Sequence, residues 1–134
     1  MPVDVAPLEP IDPEPVLAVR LGPRDDRFAG AAIGRLMSSI YIVTPMSNRV
    51  GLRLEGLPLE RRDRAELPPE AMLTGSTQIP PDGQPILFLP DHPTTGGYPV
   101  IAVVVEADLS KAGQARPGST IRFRLASRET VTRR

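Results

Sequence analysis

Met72-Leu73-Thr74-Gly75-Ser76-Thr77-Gln78-Ile79-Pro80-Pro81-Asp82-Gly83-Gln84-Pro85-Ile86-Leu87-Phe88-Leu89-Pro90 is the stretch of this 134-residue chain whose reading decides the fold. Two apolar runs, 72–79 and 85–90, flank Pro80-Pro81-Asp82-Gly83-Gln84. Proline presets the φ that opens a turn, and glycine takes the positive φ that closes one. The segment predicts two antiparallel strands joined by a three-to-five-residue turn.

Downstream, Val100 to Val105 is an unbroken run rich in β-branched residues, which predicts a strand buried on both faces. Asp108 is placed to cap a short helix through Lys111 and Gln114, ended by Pro117-Gly118, and Thr120 to Ala126 alternates as a last strand with Ile121, Phe123 and Leu125 inward. Upstream, Val50, Leu52 and Leu54 alternate with Gly51, Arg53 and Glu55, and Ile40 to Val43 is a further strand. Phe28, Ala32 and Leu36 recur at helical spacing within Asp25 to Ser38, with Asp25 or Asp26 able to cap the first turn. Val16 to Leu21 is a short strand stopped by Gly22-Pro23, and Glu60 to Glu70 reads as a polar loop.

Three regions follow. Residues 1–15 carry five prolines and four acids, which reads as an extended acidic lead-in. Residues 16–127 form the domain, and 128–134 are a polar tail. About seven or eight short strands and two short helices, without βαβ alternation, predict a mainly β fold, a barrel or strongly bent sheet with helices plugging its ends. Its expected core is Val50, Leu52, Leu54, Ile86, Phe88, Ile101, Val103, Ile121 and Phe123.

Composition removes several functions. Sixteen basic and sixteen acidic side chains cancel, so no net field draws nucleic acid or an anionic membrane. Cysteine is absent, which excludes disulfides, thiolate metal sites and thiol nucleophiles. Aromatics are 4% with no Trp, a poor basis for a stacking surface. His92 is the single histidine and cannot build a zinc site alone, so no metal is expected. No Walker-type phosphate loop or G-x-S-x-G elbow occurs, and no hydroxyl has an evident His–acid pair. The N-terminus has neither the basic start nor the apolar segment of a signal peptide, and no apolar run is long enough to span a bilayer, so a cytoplasmic location is expected.

Three segments carry a resemblance: Ser47-Asn48-Arg49-Val50-Gly51-Leu52-Arg53-Leu54-Glu55-Gly56, Gly75-Ser76-Thr77-Gln78-Ile79-Pro80-Pro81-Asp82-Gly83-Gln84-Pro85-Ile86 and Asp91-His92-Pro93-Thr94-Thr95-Gly96-Gly97-Tyr98-Pro99. They resemble, in order and spacing, the SNR-G-RLEG, G-QVP-GQP and D-TGGYP signatures of the 5-oxoprolinase C-subunit (allophanate hydrolase subunit 2, carboxyltransferase-type) family, in its C-terminal half. Gly22-Pro23-Arg24-Asp25-Asp26, Ala107-Asp108-Leu109 and Gln114-Ala115-Arg116-Pro117-Gly118 resemble flanking motifs, so the likeness covers roughly residues 16–125. Two departures stand out: the family's N-terminal half has no counterpart here, and its Ser-Glu-Gly loop reads Pro69-Glu70-Ala71.

The resemblance implies a cyclophilin-like barrel that supplies one wall of a small-amide site in an ATP-dependent complex opening 5-oxoproline to glutamate. The runner-up is the carboxyltransferase domain of a biotin-dependent urea carboxylase, and a third reading is a non-catalytic regulatory module pairing with a sister subunit. Implied partners are a chain like the B subunit of 5-oxoprolinase and the N-terminal half. No cofactor is expected on this chain alone, because Lys111, its one lysine, lacks the methionine-flanked context of a biotinyl lysine. ATP or biotin would arrive through partner subunits.

Candidate site residues come from the same segments, each with a plainer alternative. Arg49 and Arg53 share one strand face by parity and, with Asn48 beside them, suit a substrate carboxylate or phosphate; the alternative is a solvated face with an Arg53–Glu55 pair. Gln78 and Gln84 offer the paired donor and acceptor that a lactam or ureide needs, or simply bond backbone at a hairpin end. Thr95, Gly96 and Gly97 form a loop whose amides can approach an oxyanion, Asp91 suits a base or orienter, and Tyr98 suits a donor; the alternative is a tight glycine turn. A shared site requires Asn48, Arg53, Gln78, Asp91 and Tyr98 to converge on one concave surface.

Overall fold

The computed structural model describes residues 14–22, 28, 30–62 and 70–126. The expected Asp25 or Asp26 cap, residues 1–13 of the lead-in, and residues 127–134 lie outside this set.

The strands are β1 (Val16–Leu21), β2 (Tyr41–Val43), β3 (Gly51–Glu55), β4 (Glu70–Ala71), β5 (Ser76–Gln78), β6 (Ile86–Phe88), β7 (Thr95–Gly96), β8 (Val100–Val104) and β9 (Thr120–Leu125); the helices are α1 (Gly30–Ser38) and α2 (Leu109–Gly113). Seven strands close into a barrel in the order β1-β8-β5-β6-β3-β2-β9, while β4 and β7 form a separate two-stranded ribbon. All neighbouring pairs in the barrel are antiparallel except β1 with β9. The expectation of a mainly β barrel with two short helices holds.

Leu17, Val19, Tyr41, Leu52, Leu54, Leu87, Ile101, Ile121 and Phe123 fill the interior, with Phe28, Ala32 and Leu36 packed into the same core. Ala32 and Leu36 form the buried face of α1, which packs on β9, but Phe28, read from the sequence as part of the same helix, lies before it in an isolated antiparallel bridge with Arg61. Tyr41 and Phe123 meet edge to face, with ring centroids 5.9 Å apart. Burial pushes the Tyr41 phenol above its ordinary value, against smaller pulls from a Ser39 hydrogen bond and the Arg35 charge.

The hairpin predicted from residues 72–90 is present, with Thr77 opposite Leu87 and Gln78 opposite Ile86. Its connection is longer than expected, running from Ile79 to Pro85 between the strands. Gly83 takes φ +80°, and its N–H donates to the Pro80 carbonyl. The Gln84 N–H donates to Asp82 Oδ1 at 2.9 Å, an Asx turn that fixes the tip.

Parity differs from expectation in this hairpin. Leu87 and Leu89 point into the barrel, whereas Phe88 and Ile86 belong to an outer cluster with Met72, Val100 and Val103. A continuous Ile-Leu-Phe-Leu run carries no alternation, so sequence alone does not fix which residues face in. The outer cluster exists because the β4–β7 ribbon folds over that face, with Met72 N–H donating to the Thr94 carbonyl. Val50 precedes β3 and is 36% exposed, and Leu125 is 51% exposed at the end of β9. By contrast, β8 is covered on both faces, as its unbroken apolar run predicts.

Asp108 is not a helix cap. No side-chain capping bond forms at α2. Its Oδ2 instead accepts from the Ala18 N–H at 2.8 Å, and its Oδ1 lies 3.4 Å from Lys111 Nζ.

Candidate functional site

Register builds the site. In β3, Arg53 is opposite Ile86 of β6, and Ile86 is in turn opposite Gln78 of β5. These three residues therefore form one cross-strand row on the outer face of the barrel. Arg53 and Gln78 stand two inter-strand spacings apart, roughly 10 Å between backbones. The next row pairs Gly51 with Phe88. Glycine at 51 leaves the face beside Arg53 low, and Ile86 and Phe88 give it an apolar floor.

Loops raise this face into a cleft of about 490 Å³ lined by Asn48, Val50, Gly51, Arg53, Gln78, Pro80, Asp82, Ile86, Phe88, Pro93 and Tyr98. Four of the five residues required to converge do so: Asn48, Arg53, Gln78 and Tyr98. They come from the β2–β3 connection, β3, β5 and the loop before β8, and are up to 50 residues apart in sequence.

Each has a defined attachment. Asn48 Oδ1 accepts from the N–H groups of Val50 at 2.8 Å and Gly51 at 3.3 Å, so only its amide nitrogen remains for a ligand. The Arg53 backbone is held by Ser47, whose Oγ accepts from its N–H at 2.8 Å, and by Thr44 N–H donating to its carbonyl. Its guanidinium has no carboxylate among the described residues within salt-bridge reach, so the Arg53–Glu55 pair of the alternative reading is absent. Gln78 is 4% exposed, and its Nε2 donates to the Tyr98 carbonyl at 3.3 Å. Tyr98 is 40% exposed beside it.

Other candidates lie elsewhere. Arg49 Nε and Asp91 Oδ2 form an ion pair at 3.2 Å with side chains 86% and 58% exposed, a surface contact worth about 0–1 kcal/mol. Asp91 is thus outside the cleft lining, which corrects the five-residue convergence: the loop that delivers Tyr98 inward leaves Asp91 at the solvent side. Gln84 is not in the cleft lining, and Gly56 engages each end of its amide once. The Gly56 N–H donates to Oε1 at 2.9 Å, and Nε2 donates to the Gly56 carbonyl at 3.2 Å. Thr95 and Gly96 form β7, paired with Ala71 and Glu70, and neither they nor Gly97 line the cleft. The altered Pro69-Glu70-Ala71 segment therefore meets the glycine loop through Glu70 and Ala71. His92 rests edge-on to Phe88 with centroids 6.4 Å apart, and its Nδ1 lies against the Pro93 carbonyl.

Sequence reasoning misses the floor. It places Ile86, Phe88 and Val50 in the barrel interior, and the uniform apolar run at 86–89 offers no signal to reassign them. Among the described residues, no group of three His, Cys, Asp or Glu is arranged to hold a metal, and no helix is long and apolar enough to cross a membrane. What the cleft presents is a cation unpaired among the described residues, a buried neutral amide and a phenol around an apolar base. That set suits a small ligand with an anionic end and a planar polar end.

Comparison with known proteins agrees with the motifs. The chain is 48% identical over 81 residues to the C subunit of 5-oxoprolinase from Haemophilus influenzae, a match that takes in 60% of this chain and 26% of that protein. It is 39% identical over 102 residues to the C subunit of 5-oxoprolinase from Escherichia coli, over 76% of this chain and 33% of that protein. The chain thus spans about a quarter to a third of these relatives. The crystal structure of the K. lactis urea amidolyase matches with a TM-score of 0.81 at 28% identity, over 90% of this chain and 8% of that one. The family model for the carboxyltransferase domain, subdomains A and B, matches residues 2–125. Motif order, barrel and sequence match coincide over nearly the whole chain, which belongs to the carboxyltransferase-domain (subdomain A and B) family.

Proposed function

We propose that this chain forms one wall of a small-amide site in an ATP-dependent, multi-subunit enzyme that opens 5-oxoproline to glutamate. The observation that supports this most is the row Arg53–Ile86–Gln78 with Tyr98 at its end. The substrate has a carboxylate adjoining a lactam ring. Arg53 matches the carboxylate with two parallel N–H donors, Ile86 and Phe88 carry the ring methylenes, and Gln78 and Tyr98 address the lactam.

Opening the ring breaks the C–N bond, adds the hydroxyl of water to the carbonyl carbon and delivers a proton to nitrogen. In this reading Tyr98 donates to the lactam oxygen as charge develops there. Asp91, held by Arg49 at the solvent side, serves the rim and the neighbouring subunit rather than proton transfer. A sister subunit of the 5-oxoprolinase B type, together with the N-terminal half that the family pairs with this domain, closes the open side and organises ATP. A cytoplasmic location, where ATP is available, accompanies this assignment.

A second reading is favoured by the structural match to urea amidolyase. A biotin-dependent carboxyltransferase would use the same cleft for a cyclic ureide, which also presents a planar N–C=O group, with biotin carried by another chain.

Reconstitution decides between them. The purified chain alone is expected to show no ATPase, oxoprolinase or carboxylation activity. Mixed with subunits encoded beside it, it should support 5-oxoproline-dependent release of ADP and glutamate. Turnover by the single chain would refute the shared-wall reading, and activity only with carboxylated biotin would establish the second.

A further inference from the structure

The orientation of the Gln78 amide selects the ligand. Its nitrogen end is engaged: Nε2 donates to the Tyr98 carbonyl at 3.3 Å, an assignment fixed by chemistry because a carbonyl accepts only from a donor. That end is also walled. A Cβ placed on Gly96 would stand 2.7 Å from Gln78 Nε2 and 2.9 Å from Met72 Sδ, so a methyl there would push one or both of these side-chain ends aside. The oxygen end is different. Oε1 makes no hydrogen bond to a described residue and is not among the sealed, unpartnered atoms, although Gln78 is only 4% exposed. Gln78 is among the residues that line the cleft.

We infer that the cleft selects ligands bearing an N–H beside their carbonyl, because Gly96 and the Tyr98 carbonyl turn Gln78 so that its oxygen faces the ligand. The inference deepens the small-amide reading and rests on it for the location of the site, but not for the choice of substrate. Lactams and cyclic ureides satisfy an acceptor. Lactones and tertiary amides of the same shape leave Oε1 facing a lone pair or a carbon, with its hydration lost. Gly96 is accordingly a positioning residue: it touches no ligand and acts through Gln78. The β4–β7 pairing of Gly96 with Glu70 sets this wall in place.

The test uses the 134-residue chain, ¹⁵N-labelled and reconstituted with the subunits encoded beside it, titrated at millimolar concentrations and followed through the backbone amide resonances of the cleft residues and, where that side chain is present, the Gln78 amide. The probes are 5-oxoproline, its ring-oxygen lactone analogue, and biotin as a cyclic ureide. The lactam should bind about 10- to 100-fold more tightly than the lactone, the usual consequence of leaving one enclosed acceptor unpaired. In Gly96→Ala the preference should fall to within about threefold as the methyl displaces the amide from Tyr98. Gln78→Met, which keeps the volume and removes the acceptor, should abolish it, and it decides the matter if Gly96→Ala does not fold. Equal binding of lactam and lactone by the native chain, or a preference that persists in Gln78→Met, overturns the inference and leaves the proposed function standing. Binding of biotin with the Gln78 shift, without binding of 5-oxoproline, overturns the oxoprolinase reading and keeps this one. Binding of neither overturns both.

Discussion

Replacing Arg53 with alanine should weaken ligand binding in the assembled complex by about 10- to 100-fold, the range expected for one charge-assisted hydrogen-bonded contact. It should leave the stability of the barrel nearly unchanged. The structure separates these effects. The backbone of Arg53 is fixed by its pairing with Ile86, by Ser47 Oγ and by Thr44 N–H, none of which needs the side chain. Its guanidinium meets no carboxylate among the described residues, so removal breaks no ion pair within them. Arg53→Lys should recover only part of the loss, because an ammonium keeps the charge but not the two parallel donors. Calorimetry on the reconstituted complex measures the change, and thermal unfolding of the chain serves as the control. Normal ligand binding by Arg53→Ala would return that arginine to the role of a solvated strand residue.

Most of the barrel is legible in the chain because its signals are local. Pro80-Pro81-Asp82-Gly83 sets a turn by backbone geometry, and the turn brings Gln78 opposite Ile86 without help from distant residues. Alternation at Leu52 and Leu54 gives the inward face of β3, and therefore the outward face that carries Arg53. What is not local is less legible. The parity of β6 depends on whether its second face is covered, and the cover is the β4–β7 ribbon formed between residues about 25 apart. A two-residue strand has no periodicity to detect. Without that ribbon, Ile86 and Phe88 would be solvent-facing, and placing them inside is the reasonable reading of an apolar run.

The site is legible as residue types and only partly as positions. Motif segments supply Asn48, Arg53, Gln78 and Tyr98, and register gathers them. Gln84 and Asp91 come from the same segments and differ from the others through a single competing contact each. Gly56, adjacent in space to the hairpin tip, engages each end of the Gln84 amide once. Asp91 meets Arg49 at the surface. Both contacts cross between separate loops, and neither residue type announces which partner will win. Gly96 shows the reverse case. Its sequence context suggests backbone freedom at a turn, while in the structure the Gln78 and Met72 side chains stand close to where a Cβ would be.

The largest stability effect of a single polar truncation is expected at Asp108. Asp108→Ala should destabilise the domain by about 2–3 kcal/mol, the cost of losing a charge-assisted bond and leaving an N–H unpaired within the fold. Asp108 is 8% exposed, and its Oδ2 accepts from Ala18 N–H at 2.8 Å across 90 residues of sequence. The bond lies where the β1–β8 ladder ends. Val19 is the last β1 residue paired with β8, opposite Val104, and Val105 N–H then donates to the Ala18 carbonyl. Past that point the chain turns away into the helical turn at 106–108, so the Ala18 N–H has a carboxylate in place of a strand partner. Ala18 is itself 3% exposed, so water does not replace the lost acceptor freely. Asp108→Asn keeps an oxygen in the same place without the charge, and it should cost about half as much. Lys111→Ala should cost less than about 1 kcal/mol, since the lysine side chain is 51% exposed and its nitrogen is 3.4 Å from Oδ1. The ordering Asp108→Ala, then Asp108→Asn, then Lys111→Ala, read from urea unfolding midpoints at constant slope, distinguishes this from a capping role. A cap would satisfy the first turn of α2, so its loss would unravel α2 and lower the slope as well as the midpoint. An Asp108→Ala midpoint indistinguishable from wild type would show that the Ala18 bond contributes nothing net to the closure of the barrel.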